Sequence, residues 1–237
     1  MVFPYGARPL PNLRQPLRVE TFFVAHSETG ERLASSAALG VALGGAALID
    51  ELLRPVERIR IVDRHVLVVD HSVSGDPVAD WLIGVLGGPP VRTLLAPSPR
   101  PSTLRDAIHT LARDAYERTA AAMYAGNLVV QPGRRRLVPG RRRYPPSDPH
   151  VIPRIRGRLI SALTGSANPD PQTDSLGGLV LALDLVSELY LDGSGHDVPA
   201  LLRHMVERVS VEHPAIRQIL ADTHSLIGEA AVRVYGG

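Results

Sequence analysis

Apolar positions along this chain recur mostly at the three-to-four-residue spacing of helices that face a shared core. Leu17–His26 (LRVETFFVAH) predicts a short amphipathic helix closed by the turn SETGE. Ser35 or Ser36 can cap a second helix that runs through Ala37–Ile49 to about Leu53, where Pro55 stops it. Arg58–Val62 and His65–Asp70 flank Asp63-Arg64 and predict a small β-hairpin. In SVSGDP, Asp76 is placed to cap and Pro77 to open a helix that carries Trp81 and ends at Gly87-Gly88. Ser102 begins a long helix to about Ala125, with Leu104, Ile108, Leu111, Ala115 and Met123 near helical spacing. Leu128–Gln131 is a strand candidate, and the turn Pro139-Gly140 divides the loop after it. Helices then follow over about Pro149–Thr164, Thr173–Leu191, Val198–Val211 and Pro214–Val234. The expected fold is mainly α: one helical core ringed by amphipathic helices, with two small β-hairpins, one of them protruding and basic.

The most apolar run, Ala37–Ile49, spans 13 residues and is too short to cross a bilayer. Leu176–Leu191 is interrupted by Asp184 and Glu188, so both runs are expected as buried core helices. The proline-broken start, residues 1–15, is expected as a flexible arm, and residues 16–237 as one domain. These features predict a cytoplasmic protein whose contact with a membrane is peripheral.

Composition narrows the chemistry. The 237 residues include no cysteine, which removes disulfides, thiolate metal sites and thiol nucleophiles. Aromatic residues are 4%, too few for a base-stacking surface. None of the nine histidines falls in a helical metal-binding spacing, and there is no Walker A sequence or dinucleotide-binding glycine pattern. Gly193-Ser194-Gly195 lacks the strand-to-helix setting of a nucleophile elbow. Asp76 and Asp80 share a helical face, where a cap plus a solvated acid explains them better than a catalytic pair. No catalytic residue, cofactor or metal is expected.

Charge is the stronger signal. All 26 basic residues are arginine, a permanent forked donor suited to phosphate. Between Gln131 and Ile160, nine arginines face one acid, a net +8 that leaves the rest of the chain at −6 within an overall +2. If the chain reverses at Pro139-Gly140, Arg134, Arg135 and Arg136 oppose Arg141, Arg142 and Arg143 across a ribbon at about 128–146. Opposed like charges need an anionic partner, solvent or neighbouring carboxylates. An apolar tip, Leu137-Val138, flanked by arginine suits the headgroup boundary of an anionic membrane, where each basic residue contributes roughly 1 kcal/mol. The same hairpin suits the wing of a winged-helix nucleic-acid binder, or an oligomer contact on a protein-interaction scaffold. Gly44-Gly45 leaves room either for a phosphate or for close helix packing, the latter favoured.

Several of these pieces, in this order, resemble the Golgi phosphoprotein 3 family in its bacterial (actinobacterial) branch. They are LRVETFFVAH with SETGERL, the apolar helix ending AALIDELL, VSGDPVADWL, RDAYERTAAAMYAGNLV and RRRLVPGRRRYPPSDP, over roughly Leu17 to Val234. The resemblance implies a mainly helical fold with a protruding hairpin used for membrane contact and self-association. Eukaryotic members are peripheral Golgi proteins that bind phosphatidylinositol 4-phosphate and retain glycosyltransferases. It therefore implies a non-enzymatic adaptor for anionic phospholipid that holds client proteins. In the family's lipid site a Trp and an Arg come from the apolar helix and two Arg from the later one. By position the Trp falls near Ser35, the first Arg near Gly44, one Arg is kept as Arg113, and the other falls at Tyr116. The implied lipid-binding residues are thus Arg113 and Tyr116, with the hairpin arginines supplying general attraction. Trp81 lies on a different helix and is expected in core packing.

Overall fold

The structure is a computed structural model, and it describes residues 14–88, 102–130, 142–189 and 197–235. Among these residues the fold is mainly helical, with one three-stranded antiparallel sheet. Helix α2 (Ser36–Leu52) is its axis. The Ser35 side chain caps it, accepting the Ala38 N–H at 3.1 Å. Every residue from Leu39 to Ile49 is buried, because α1 (Leu17–Val24), α4 (Leu104–Ala125) and α8 (Pro214–Tyr235) enclose it. That is why the run is apolar on all sides rather than striped. The Gly44-Gly45 pair belongs to this packing. A Cβ on Gly44 would stand 3.3 Å from the Leu111 Cβ on α4, and one on Gly45 would stand 2.3 Å from the Thr223 Oγ1 on α8.

Strands β1 (Ile59–Val62) and β2 (His65–Val68) form the expected hairpin. Its turn residues, Asp63 and Arg64, both have positive φ, the geometry of a twist-matched two-residue turn. The Arg64 carbonyl accepts the Leu104 N–H at 2.7 Å, and its guanidinium holds the buried Asp222 of α8 at 2.5 Å. Helix α3 (Pro77–Gly87) has the expected Asp76 cap and Pro77 start. Trp81 packs against the core as expected, and the Arg118 guanidinium lies 4.9 Å from the centre of its ring. Helices α5 (Val151–Leu163), α6 (Pro171–Ala182) and α7 (Val198–Glu212) complete the fold.

Three expectations need correction. Helix α1 is not amphipathic: all of its residues are buried, Arg18, Glu20 and Thr21 included. Ser102 does not begin α4; Ser102–Thr103 form a third strand, β3, paired with His65-Val66, and Thr103 caps the helix from Leu104. The helix expected to reach Leu191 ends at Ala182. Asp184 takes a positive φ, and the chain folds back so that the Leu185 N–H reaches the Val180 carbonyl at 3.0 Å. The apolar pattern continues past the break because Leu185 re-enters the core.

A buried ion network joins α1, α2 and α3. Pro16 offers α1 no capping side chain, so the N–H groups of Leu17 and Arg18 donate to Asp50 of α2, at 2.6 and 3.2 Å. The Arg18 guanidinium bridges Asp50 at 2.9 Å and Asp76 at 2.5 Å. Arg54 joins Asp76 at 3.1 Å to Glu51 at 2.7 Å, and Arg58 joins Glu51 to Asp80 at 3.3 and 3.0 Å. Asp80 is therefore not simply a solvated acid; it also accepts the N–H and hydroxyl of Ser74. Burial pushes the Asp76 carboxyl up, but Arg18 and the N–H groups of Ala79 and Val78 outweigh it and hold it below its ordinary value. Replacing Arg18 by Met strands the carboxylate of Asp50 and leaves Asp76 with Arg54 alone, and we expect a loss of about 3–5 kcal/mol in urea unfolding. Arg60→Met, which breaks the exposed pair with Glu57, should leave the midpoint nearly unmoved. Equal effects would mean that the buried network carries no special share of stability.

Candidate functional site

Arg113 and Tyr116 lie one turn apart on α4, where both line a groove of about 410 Å3. The opposite wall is the N-terminus of α2, at Ser36 and Ala37, and α8 contributes Leu226 and Glu229. Beyond the Ser35 cap on the Ala38 N–H, the first turn of α2 has no acidic residue to oppose its positive dipole end.

The charge balance inside the groove is set from outside it. Two acids line the walls, Glu117 and Glu229. Arg142 reaches Glu117 at 3.3 Å, and Arg105 pairs with Glu229. Arg113 is exposed and has no ion pair among the described residues. Its charge is left for whatever enters. Sequence reasoning missed a further cation. Arg32 precedes α2, and its guanidinium lies 5.5 Å from the centre of the Tyr116 ring. The turn that brings it there needs Gly30, whose φ is +79° and whose Cβ would strike the Tyr144 and Pro145 backbone at 2.3 Å. The only trace of this in the sequence is the SETGE turn just before Arg32.

The other expected residues separate. Arg142 joins the rim through Glu117, while Arg143 pairs with Glu31 on the Gly30 turn. Arg134, Arg135, Arg136 and Arg141 lie outside the described residues. The described residues on either side of them pair with each other. Val129 bridges Pro146, the Val130 N–H donates to the Pro145 carbonyl, and the Ser147 N–H to that of Leu128, each at 2.9 Å. Gly44, where the resemblance placed an arginine of the apolar helix, is sealed between helices and has no room for one. Arg14, placed in the N-terminal arm by the sequence, pairs with Asp170 at 2.5 Å.

An aromatic stack ties the groove floor to the hairpin base. Tyr116 stacks on Phe22 with centroids 5.5 Å apart, and Phe22 on His26 at 4.1 Å. Tyr144 meets Phe22 edge-on at 5.7 Å. The His26 Nδ1–H donates to the Phe22 carbonyl at 2.7 Å, leaving Nε2 to accept the Tyr116 hydroxyl at 3.3 Å. Burial raises the Tyr116 hydroxyl well above its ordinary range, so it stays a neutral donor. Burial likewise lowers His26 from 6.5 to about 4, so the fold holds this imidazole neutral.

The unfolded chain protonates His26 near pH 6.5 and the folded one only near 4. The stability it contributes is therefore complete above about pH 6.5 and is lost as pH falls toward 4, by about 3 kcal/mol in all. His26→Gln should remove this part of the pH slope in urea unfolding between those limits. An unchanged slope would show that His26 is free to protonate in the fold.

Among the described residues, no helix is long and apolar enough to cross a membrane, and no cluster of histidines and carboxylates is arranged to hold a metal ion. No curated protein matches the chain. A family profile described as Golgi phosphoprotein 3 (GPP34) matches residues 17–223. That span runs from the first residue of α1 into α8 and takes in the ion network, the aromatic stack and most of the groove. The chain belongs to the Golgi phosphoprotein 3 family.

Proposed function

We propose that the protein is a non-enzymatic adaptor that binds the headgroups of anionic phospholipids, phosphatidylinositol 4-phosphate among them, at the groove between α2, α4 and α8. The carrying observation is the unpaired Arg113 opposite the acid-free first turn of α2, both acids of the groove being held by arginines from outside it. A helix N-terminus with a forked cation beside it suits a phosphate monoester. Arg32, over the Tyr116 ring, takes the place of the cation that the sealed Gly44 cannot supply. The arginine-rich hairpin meets the surrounding anionic surface, whose pull on each basic residue falls off within a Debye length. On this reading the protein works at a membrane surface from the cytoplasmic side. It holds client proteins there and self-associates through the hairpin.

Vesicle co-sedimentation at low and high salt tests this. Neutral phosphatidylcholine vesicles would be compared with vesicles carrying phosphatidylserine or phosphatidylinositol 4-phosphate at matched charge. Binding should require anionic lipid and weaken with salt. Arg113→Ala should weaken phosphoinositide binding by about tenfold, and Arg32→Ala should weaken it less. Equal binding to neutral vesicles, or an Arg113→Ala variant that binds as the wild type does, would overturn the proposal.

A further inference from the structure

A larger groove, of about 690 Å3, lies away from Arg113, between α6, α7 and α8. Its volume is in the range of small-molecule sites. The turn at His213 joins α7 to α8 and fixes what faces what. Gly178 of α6 lies against both Val206 and Leu220, each seven residues from His213: a Cβ on it would stand 3.0 Å from either side chain. The middle of the groove is therefore apolar, with Leu181 alongside, and the exposed Val211 extends it toward the turn. Arg217 stands near the turn end and Arg203 toward the other.

The state of those two arginines is what points to a ligand. The described arginines are mostly consumed: Arg14, Arg18, Arg54, Arg58, Arg64, Arg105 and Arg208, among others, hold carboxylates. Arg32 and Arg118 lie over aromatic rings. Arg113, Arg203 and Arg217 have neither kind of partner among the described residues. Arg113 lines the first groove, and Arg203 and Arg217 line the second. Glu207 is the one acid lining this groove, and it faces His204 at 3.7 Å. An apolar trough with an unpaired guanidinium toward each end complements a ligand that is apolar along its length and anionic at its head.

We propose that this groove binds a fatty carboxylate, its alkyl chain along Leu181, Val206 and Leu220 and its head on a rim arginine. The site is separate from the headgroup groove and stands whether or not that groove binds phospholipid.

Calorimetry with the full chain and straight-chain carboxylates from octanoate to dodecanoate tests it. Affinity should rise with each added methylene, by up to about fourfold, until the groove is filled. Dodecyltrimethylammonium, of equal chain length and opposite charge, should bind at least tenfold more weakly than dodecanoate. The exposed pair Arg203→Gln/Arg217→Gln should remove that preference, and Ala221→Trp, which fills the groove from its rim, should abolish binding. Three results would overturn the proposal. One is affinity independent of chain length. Another is dodecanoate binding that survives Ala221→Trp or is lost instead with Arg113→Ala. The third is no dodecanoate bound by a wild-type dimer that Ala221→Trp makes monomeric, which would give the groove to a second copy of the chain.

Discussion

The fold turns on one buried guanidinium. Arg18 sits in the first turn of α1 with its side chain 6% exposed, between Asp50 of α2 and Asp76 at the start of α3. Each carboxylate has a second structural task. Asp50 closes the open N-terminus of α1, and Asp76 caps α3. Removing the cation therefore leaves Asp50 without a counter-charge and Asp76 with Arg54 alone, at the two helix termini these carboxylates serve. A buried pair in isolation seldom adds much net stability over an apolar replacement. Its value here is specificity: forked donors at fixed angles admit one register between three helices that apolar packing alone would let slide.

The same segment carries this register to the groove that Arg113 lines. Arg18, Phe22 and His26 follow one another at four-residue intervals, so what fixes Arg18 also fixes the ring of Phe22 and the imidazole beyond it. Phe22 and His26 support Tyr116 on one side and Tyr144 on the other. Tyr144 in turn lies just before the Val129–Pro146 bridge, and its N–H donates to the Gly30 carbonyl at 2.9 Å. The groove floor and the Val129–Pro146 bridge thus share one aromatic stack, in which burial favours a neutral His26.

Local signals in the sequence carried much of the architecture. Ser35 before an apolar run and Asp76-Pro77 before another state where helices begin, because capping is a contact between near neighbours. Arg113 and Tyr116 came from the family resemblance, and the structure sets them one turn apart on α4. What stayed hidden depends on contacts across long separations. Nothing near Arg18 announces that Asp50 and Asp76 will neutralise it, so α1 read as half exposed. A two-residue strand such as β3 has no periodicity to detect, and the break at Asp184 leaves the apolar pattern unbroken because Leu185 is buried again. Arg32 reaches the Tyr116 ring only through the Gly30 turn, which packs on the backbone of Tyr144 and Pro145.

A chain whose only strong cation is arginine has a particular problem of specificity. Every basic side chain is permanently charged and able to grip a phosphate, so charge alone cannot mark a site. Selectivity has to come from cancelling the cations that are not wanted. The fold does this by burying carboxylates such as Asp50, Glu51 and Asp174 beside arginines. Pairing at the rim does the converse: Arg105 and Arg142 hold the very acids that would otherwise neutralise Arg113. The net +2 of the chain therefore says little about what it binds. The binding surface is decided by which arginines the carboxylates leave over, and that depends on the three-dimensional pairing that Arg18 and its partners hold in register.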